Sequence, residues 1–135
     1  MEIIDRNKNE QEVNMLSPLV WAYVGDGVYE MYIRMHLVNE HSFKPHKLHV
    51  EATKYVKAVA QSKLIHKLLE EKYLTEEEED IVRRSRNTEN HHVAKNATLA
   101  DYTYATAFEA LIGWLYLNKK DDRLKELLDY CMKIW

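Results

Sequence analysis

A chain of 135 residues, 46% hydrophobic and 30% charged with a net charge of −3, is long enough for one core and ordinary for a globular domain. Three glycines and two prolines are too few for the turns of a sandwich or barrel, and point to an all-α fold in a single domain, 1–135. The lone Cys131 excludes an intramolecular disulfide.

The opening MEIIDRNKNEQEV is neither a signal nor a transit peptide, and no apolar run reaches the length of a membrane span. The chain therefore reads as soluble and cytoplasmic. Its negative total argues against a nucleic-acid-binding domain taken as a whole, but the charge is polarised. Residues 76–80 are an unbroken acidic run, whereas 81–98 carry Arg83, Arg84, Arg86 and Lys95 against Glu89 alone. One basic face is compatible with that distribution.

In chain order, residues 1–16 form a polar lead-in expected to be poorly ordered or loosely docked. Then SPLVWAYVGDGVYEMYIRMHLVN (17–39) reads as one long helix, which Ser17 can N-cap and Pro18 can open. Apolar side chains occupy nearly every face, the pattern of a buried helix. Yet Asp26 lies in its middle between Gly25 and Gly27, with Glu30 one turn on. An unpaired buried carboxylate is costly, so Asp26 requires a metal, a cation or several donors opposite it. After a connector at 41–44, Pro45 opens a second helix reaching about Val59, with Leu48, Ala52, Tyr55, Val56 and Val59 at helical spacing. A third runs from about Ser62 to Lys72 on Ile65, Leu68 and Leu69. Thr75 and Glu78 have the spacing of a capping box that starts a short helix at Glu76. Carboxylates in a first turn suit the helix dipole, which accounts for the acidic run without any function.

Residues 86–98 have no apolar period, and loops of that length are usually functional or mobile. A second long apolar helix runs from Leu99 to about Asn118, with Thr98 and Asp101 as its capping box. A last amphipathic helix, capped by Asp121 or Asp122, turns Leu124, Leu127, Leu128 and Cys131 inward. The total is six or seven helices.

The second long helix repeats the peculiarity of the first. YATAFEALIGWLYL (104–117) is apolar throughout except for Glu109, with Thr106 before it and Gly113 one turn after. Small neighbours let another helix approach closely, so Asp26 and Glu109 can meet. Facing carboxylates repel unless a cation lies between them. A hard ion such as Mg²⁺ takes oxygen ligands and can activate water against a phosphodiester. The competing reading is two independent buried acids, each satisfied by hydroxyls such as those of Tyr29, Tyr104 or Thr106.

YVGDGVYE (23–30) and FEALIGWLYL (108–117) resemble the two catalytic helices of the ribonuclease III family. Further segments resemble, in order, its Mini form, which consists of the catalytic domain alone: KPHKLH (44–49), LTEEEEDIVRRSRN (74–87), AKN (94–96) and YTYATAFEA (102–110). The similarity runs along nearly the whole chain. It implies a ribonuclease III endonuclease-domain helical bundle that dimerises through the first long helix. It further implies a Mg²⁺-dependent endoribonuclease, with Mn²⁺ as a substitute ion, that cuts double-stranded RNA to 5′-phosphate and 3′-hydroxyl ends. Asp26 matches the family's catalytic aspartate and Glu109 its catalytic glutamate, both metal ligands. Where full-length members carry further acids, this chain has Leu19, Ala22 and Thr106, as the Mini form does, so substrate phosphates and water must complete the metal's shell. Glu30 and Asp101 are spare carboxylates ranked below the main pair.

In the Mini form the loop corresponding to 86–98 reaches toward the RNA. Its flanks make Arg83, Arg84, Arg86, Asn87, Lys95 and Asn96 the RNA-binding candidates, since A-form duplexes are read through phosphates and 2′-hydroxyls. Lys54 and Lys57 rank below them. The resemblance names the large-subunit (23S) ribosomal RNA precursor as substrate and a ribosomal protein as candidate stimulator. A zinc reading of His46-x-x-His49 or His91-His92 lacks further ligands nearby in sequence. The alternative to an enzyme is an inactive helical RNA-binding or scaffolding module of the same fold; retention of both Asp26 and Glu109 favours the enzyme.

Overall fold

The structure, a computed structural model, describes residues 3–88 and 98–135. Its elements are α1 (Glu10–Asn14), α2 (Pro18–Glu40), α3 (Pro45–Val56), α4 (Ala58–Glu70), α5 (Glu76–Arg86), α6 (Leu99–Leu117) and α7 (Asp121–Ile134). Among the described residues there is no strand. Helix α6 is the axis: every residue from Ala105 to Tyr116 except Glu109 is buried. It has to be, because α2, α4, α5 and α7 pack around it and its own surface offers almost nothing polar to water.

Helix α2 differs from the expectation of a helix buried on all sides. Only the stripe Trp21, Ala22, Gly25, Tyr29, Ile33 and Leu37 is buried. Leu19, Val20, Tyr23, Met31, Met35 and Val38 are exposed. Asp26 lies on this exposed side as well, which removes the premise that it sits in the core. An apolar face turned outward has the same sequence signature as one turned inward, so composition alone could not separate the two.

Two boundaries and the docking of the lead-in also differ. The break between the second and third predicted helices falls at Lys57, whose extended backbone ends α3 and starts α4 at once. Helix α7 is N-capped by Lys120 without a side-chain hydrogen bond, and Asp121 lies in the first turn. There Asp121 is held by Arg6 through two contacts of 2.6 and 2.9 Å. The lead-in is docked rather than loose: α1 starts in an Asn9–Glu12 capping box, and Val13 is fully buried. Its carbonyl accepts from the Trp21 indole at 2.8 Å, and Asn14 Oδ1 accepts from the Trp114 indole at 2.7 Å. Two large buried indoles thus find their acceptors in a segment whose sequence looks like a tail.

The capping box of α5 forms as expected, with Thr75 and Glu78 bonding reciprocally. That Glu78 is buried, and Arg123 of α7 closes on it through contacts of 2.7 and 2.8 Å. Helices α4 and α6 end in left-handed turns at Lys72 (φ 53°) and Lys119 (φ 59°). In each the following N–H reaches back to close the turn, Tyr73 to Leu68 and Lys120 to Leu115. Neither position is a glycine.

Candidate active site

Two glycines set the site. A side-chain carbon added to Gly25 would lie 1.7 Å from the Glu109 carbonyl oxygen, and one added to Gly113 would lie 1.8 Å from that of Trp21. The backbones of α2 and α6 therefore touch, with no side chain between them. Gly27, next along α2, has nothing within 4 Å of such an atom. The contact at Gly25 and Glu109 places the following residue of α2, Asp26, beside the Glu109 side chain. The two sequence-predicted carboxylates come together.

Glu109 is half-buried and Asp26 exposed. Burial first, and then the hydrogen bond and negative charge of Asp26, push the Glu109 carboxyl up to about 8, while the Gln61 amide pulls against them. The Glu109 carboxyl thus keeps its proton at neutral pH. Gln61 comes from α4. Its Nε2 donates to the Val56 carbonyl at 3.0 Å and to Glu109 Oε2 at 3.4 Å. Sequence reasoning missed this residue. The signal was present: Gln61, Ile65 and Leu68 share one face at i, i+4, i+7, and a glutamine on an otherwise apolar face wants an explanation. The hydroxyls of Tyr29, Tyr104 and Thr106 make bonds of their own elsewhere. Tyr29 donates to the Tyr55 carbonyl at 3.3 Å, Thr106 donates to that of Tyr102 at 3.0 Å, and the Tyr104 oxygen accepts from Arg86 at 3.0 Å.

The remaining candidates are spread around this centre. Glu30 pairs with Arg34 on the surface of α2 at 3.1 Å, and the Asp101 backbone N–H is capped by Thr98 at 3.0 Å. Arg83, Arg84 and Arg86 stand exposed on the last turn of α5, with Asn87 as its C-cap. Arg83 pairs with Asp80. Arg84 lies over the Trp21 ring at 5.0 Å, and Arg86 bonds Tyr104 on α6. Lys95 and Asn96, like His91 and His92, lie outside the described residues. Lys54 and Lys57 line a cavity of about 410 Å³ together with Lys63 and Lys67. Among the described residues no group of three or more His, Cys, Asp or Glu side chains gathers as a metal cluster.

Residues 19–120 match the family model of the Ribonuclease III domain. The chain belongs to the ribonuclease III family. A Mini-ribonuclease 3 of Streptococcus pneumoniae is 48% identical over 90% of this chain and 95% of its own length. Those of Enterococcus faecalis and Staphylococcus aureus are 46% and 40% identical, over 91% and 95% of this chain and 93% and 96% of theirs. A crystal structure of a protein from Fusobacterium nucleatum superposes with a TM-score of 0.78 at 29% identity, covering 90% of this chain and 96% of that one. The chain is thus a ribonuclease III-type endonuclease, and the all-α fold is that of the family. No helix among the described residues is long and apolar enough to cross a membrane.

Proposed function

We propose that this ribonuclease III-family chain is a Mg²⁺-dependent endoribonuclease that cuts double-stranded RNA, with Asp26 and Glu109 as catalytic carboxylates and metal ligands. One observation carries the reading: two acids 83 residues apart in sequence meet where the backbones touch, and burial together with repulsion from Asp26 leaves Glu109 protonated near neutrality. A cation relieves that repulsion. The donor set suits a hard ion, since both carboxylates offer oxygens and the buried, unpaired Gln61 Oε1 adds an acceptor nearby for a water of its shell. Mg²⁺ takes such donors while keeping several waters, and Mn²⁺ accepts the same set.

Bound there, the ion supplies an activated water and a counter-charge for the phosphodiester under attack. The chain's own residues do the rest. Glu109 releases its proton to become a ligand, a coupling of metal affinity to pH. Asp26, on the solvent side, faces the incoming duplex, and Gln61 holds Glu109 from behind. Attack of water on phosphorus with departure of the 3′-oxygen leaves 5′-phosphate and 3′-hydroxyl ends. Arg83, Arg84, Arg86 and Asn87, together with Lys95 and Asn96, contact the phosphate backbone in this reading.

The exposed apolar side of α2 supports an isologous homodimer through that helix, because Leu19, Val20, Tyr23, Met31, Met35 and Val38 line it. The resemblance to the Mini form supports a cytoplasmic role on the large-subunit (23S) ribosomal RNA precursor, with a ribosomal protein as stimulator. The test compares wild type with Asp26→Asn on a fully paired RNA duplex, in Mg²⁺ and in EDTA, on a denaturing gel. Discrete 5′-phosphorylated fragments, lost in the variant and in EDTA, are expected. A wild type that binds the duplex yet never cuts it in Mg²⁺ or Mn²⁺ would be a binding module. Cleavage that survives Asp26→Asn would place the site elsewhere.

A further inference from the structure

Gln61 has a polar atom that its surroundings do not account for. The side chain is only 2% exposed, and its amide cannot be turned round. Val56 offers a carbonyl oxygen at 3.0 Å, which only a donor can face, so the nitrogen lies on that side. The second N–H is directed at Glu109 Oε2, 3.4 Å away. Oε1 remains, buried and without a partner among the described residues. Amide geometry puts it about 2.3 Å from Nε2, hence no more than about 5.7 Å from Glu109 Oε2. A buried acceptor without a donor is costly, and a leucine would fill the position without that cost.

What would supply the donor follows from the site. Two carboxylates are the protein's anionic contribution, since no group of three metal-ligating acids, histidines or cysteines forms among the described residues. A small divalent ion held by so few ligands keeps several waters, whose hydrogens need acceptors. A neutral amide oxygen accepts from such a water without adding to the repulsion between Asp26 and Glu109. Groups that orient the inner ligands are a regular part of metal sites.

We propose that Gln61 is a positioning residue for the divalent ion: its Nε2 fixes the Glu109 carboxylate, and its Oε1 accepts a hydrogen bond from a water in the ion's shell. The inference rests on the Asp26–Glu109 metal site proposed above. Its test reads Mn²⁺ binding by electron paramagnetic resonance, on the full chain saturated with a short RNA duplex carrying a 5′-phosphate. Gln61→Met keeps the length and loses both hydrogen-bonding functions, whereas Gln61→Asn keeps both on a side chain one methylene shorter. Gln61→Met is expected to bind Mn²⁺ about tenfold more weakly or worse. Gln61→Asn, which keeps the neutral amide, should recover part of that loss and bind Mn²⁺ more tightly than Gln61→Met. Both should bind the duplex in EDTA as wild type does. Mn²⁺ binding by Gln61→Met equal to wild type overturns the inference, whatever its melting temperature. So does a Gln61→Asn variant as weak as Gln61→Met. If wild type shows no Mn²⁺ binding that Asp26→Asn removes, the metal site itself falls, and this result is distinct from the others.

Discussion

Substituting Gly25 by alanine tests whether the crossing of α2 and α6 builds the site. The added carbon would lie 1.7 Å from the Glu109 carbonyl oxygen, and ordinary contact begins at 3.4 Å. The helices must part by about the difference, roughly 1.7 Å, because the obstacle is backbone and no rotamer relieves it. Overpacking a tight core costs about 1–3 kcal/mol, and a clash with backbone belongs at the upper end. For a chain of this size each kcal/mol moves the melting temperature by roughly 3–5 °C, so Gly25→Ala should melt about 10–15 °C lower. Misplacing catalytic groups by about 1 Å can reduce turnover about 100-fold. Cleavage of duplex RNA should fall at least that far at a temperature where the variant is still folded. Gly27→Ala is the internal control: its new methyl meets nothing within 4 Å, and an alanine in mid-helix gains about 0.5–1 kcal/mol over glycine. The assays are thermal melting at one protein concentration and single-turnover cleavage. If Gly25→Ala melts and cuts like wild type, or Gly27→Ala is equally damaging, backbone contact does not set the distance between the acids.

Three further outcomes follow from the packing. In EDTA, stability should decline as pH rises from about 5 through about 8, because folding raises the proton affinity of Glu109 and the stabilisation is lost as that proton leaves. Glu109→Gln should flatten this dependence; an unchanged slope in melting temperature against pH would assign it to other groups. Arg123→Met strands the buried Glu78 carboxylate, whose proton affinity Arg123 lowers against the opposing pull of burial. Urea denaturation should show a loss of about 3–5 kcal/mol, and a loss under 1 kcal/mol would mean that water replaces the arginine. Lys119→Gly, at φ 59°, should raise stability by about 1 kcal/mol, since a left-handed turn suits glycine best. Calorimetry showing a lower melting temperature would mean that the lysine side chain contributes more than its backbone costs.

Much of the fold was legible because this chain punctuates its helices in the usual ways. Ser17 with Pro18 and Thr75 with Glu78 marked helix starts that the structure keeps. Leu124, Leu127, Leu128 and Cys131 marked a buried stripe that it also keeps. Where the reading slipped, local pattern could not hold the answer. Nothing in the composition of 17–39 says whether a greasy face meets another helix or the outside, so Asp26 was expected in a core it does not occupy. Nor does the polarity of 1–16 announce that Val13 and Asn14 serve two indoles more than seven residues away. The acids were visible because each interrupts an apolar run. Gln61 interrupts one too, but glutamine is a milder anomaly than a carboxylate and passes for surface. Lys57 ends one helix and begins another with no glycine or proline to signal it.

The contact between Gly25 and Gly113 has a consequence for how such a protein can change over time. A gap between two acids that depended on side-chain volume would drift with every leucine exchanged for isoleucine in the core. Here the spacer is main chain against main chain, which substitution elsewhere leaves alone so long as Gly25 and Gly113 stay glycine. Surrounding layers can then be rewritten while the ruler at the centre keeps its length. A fold shared at a TM-score of 0.78 with only 29% of residues in common is what such a division between fixed gauge and free filling would produce.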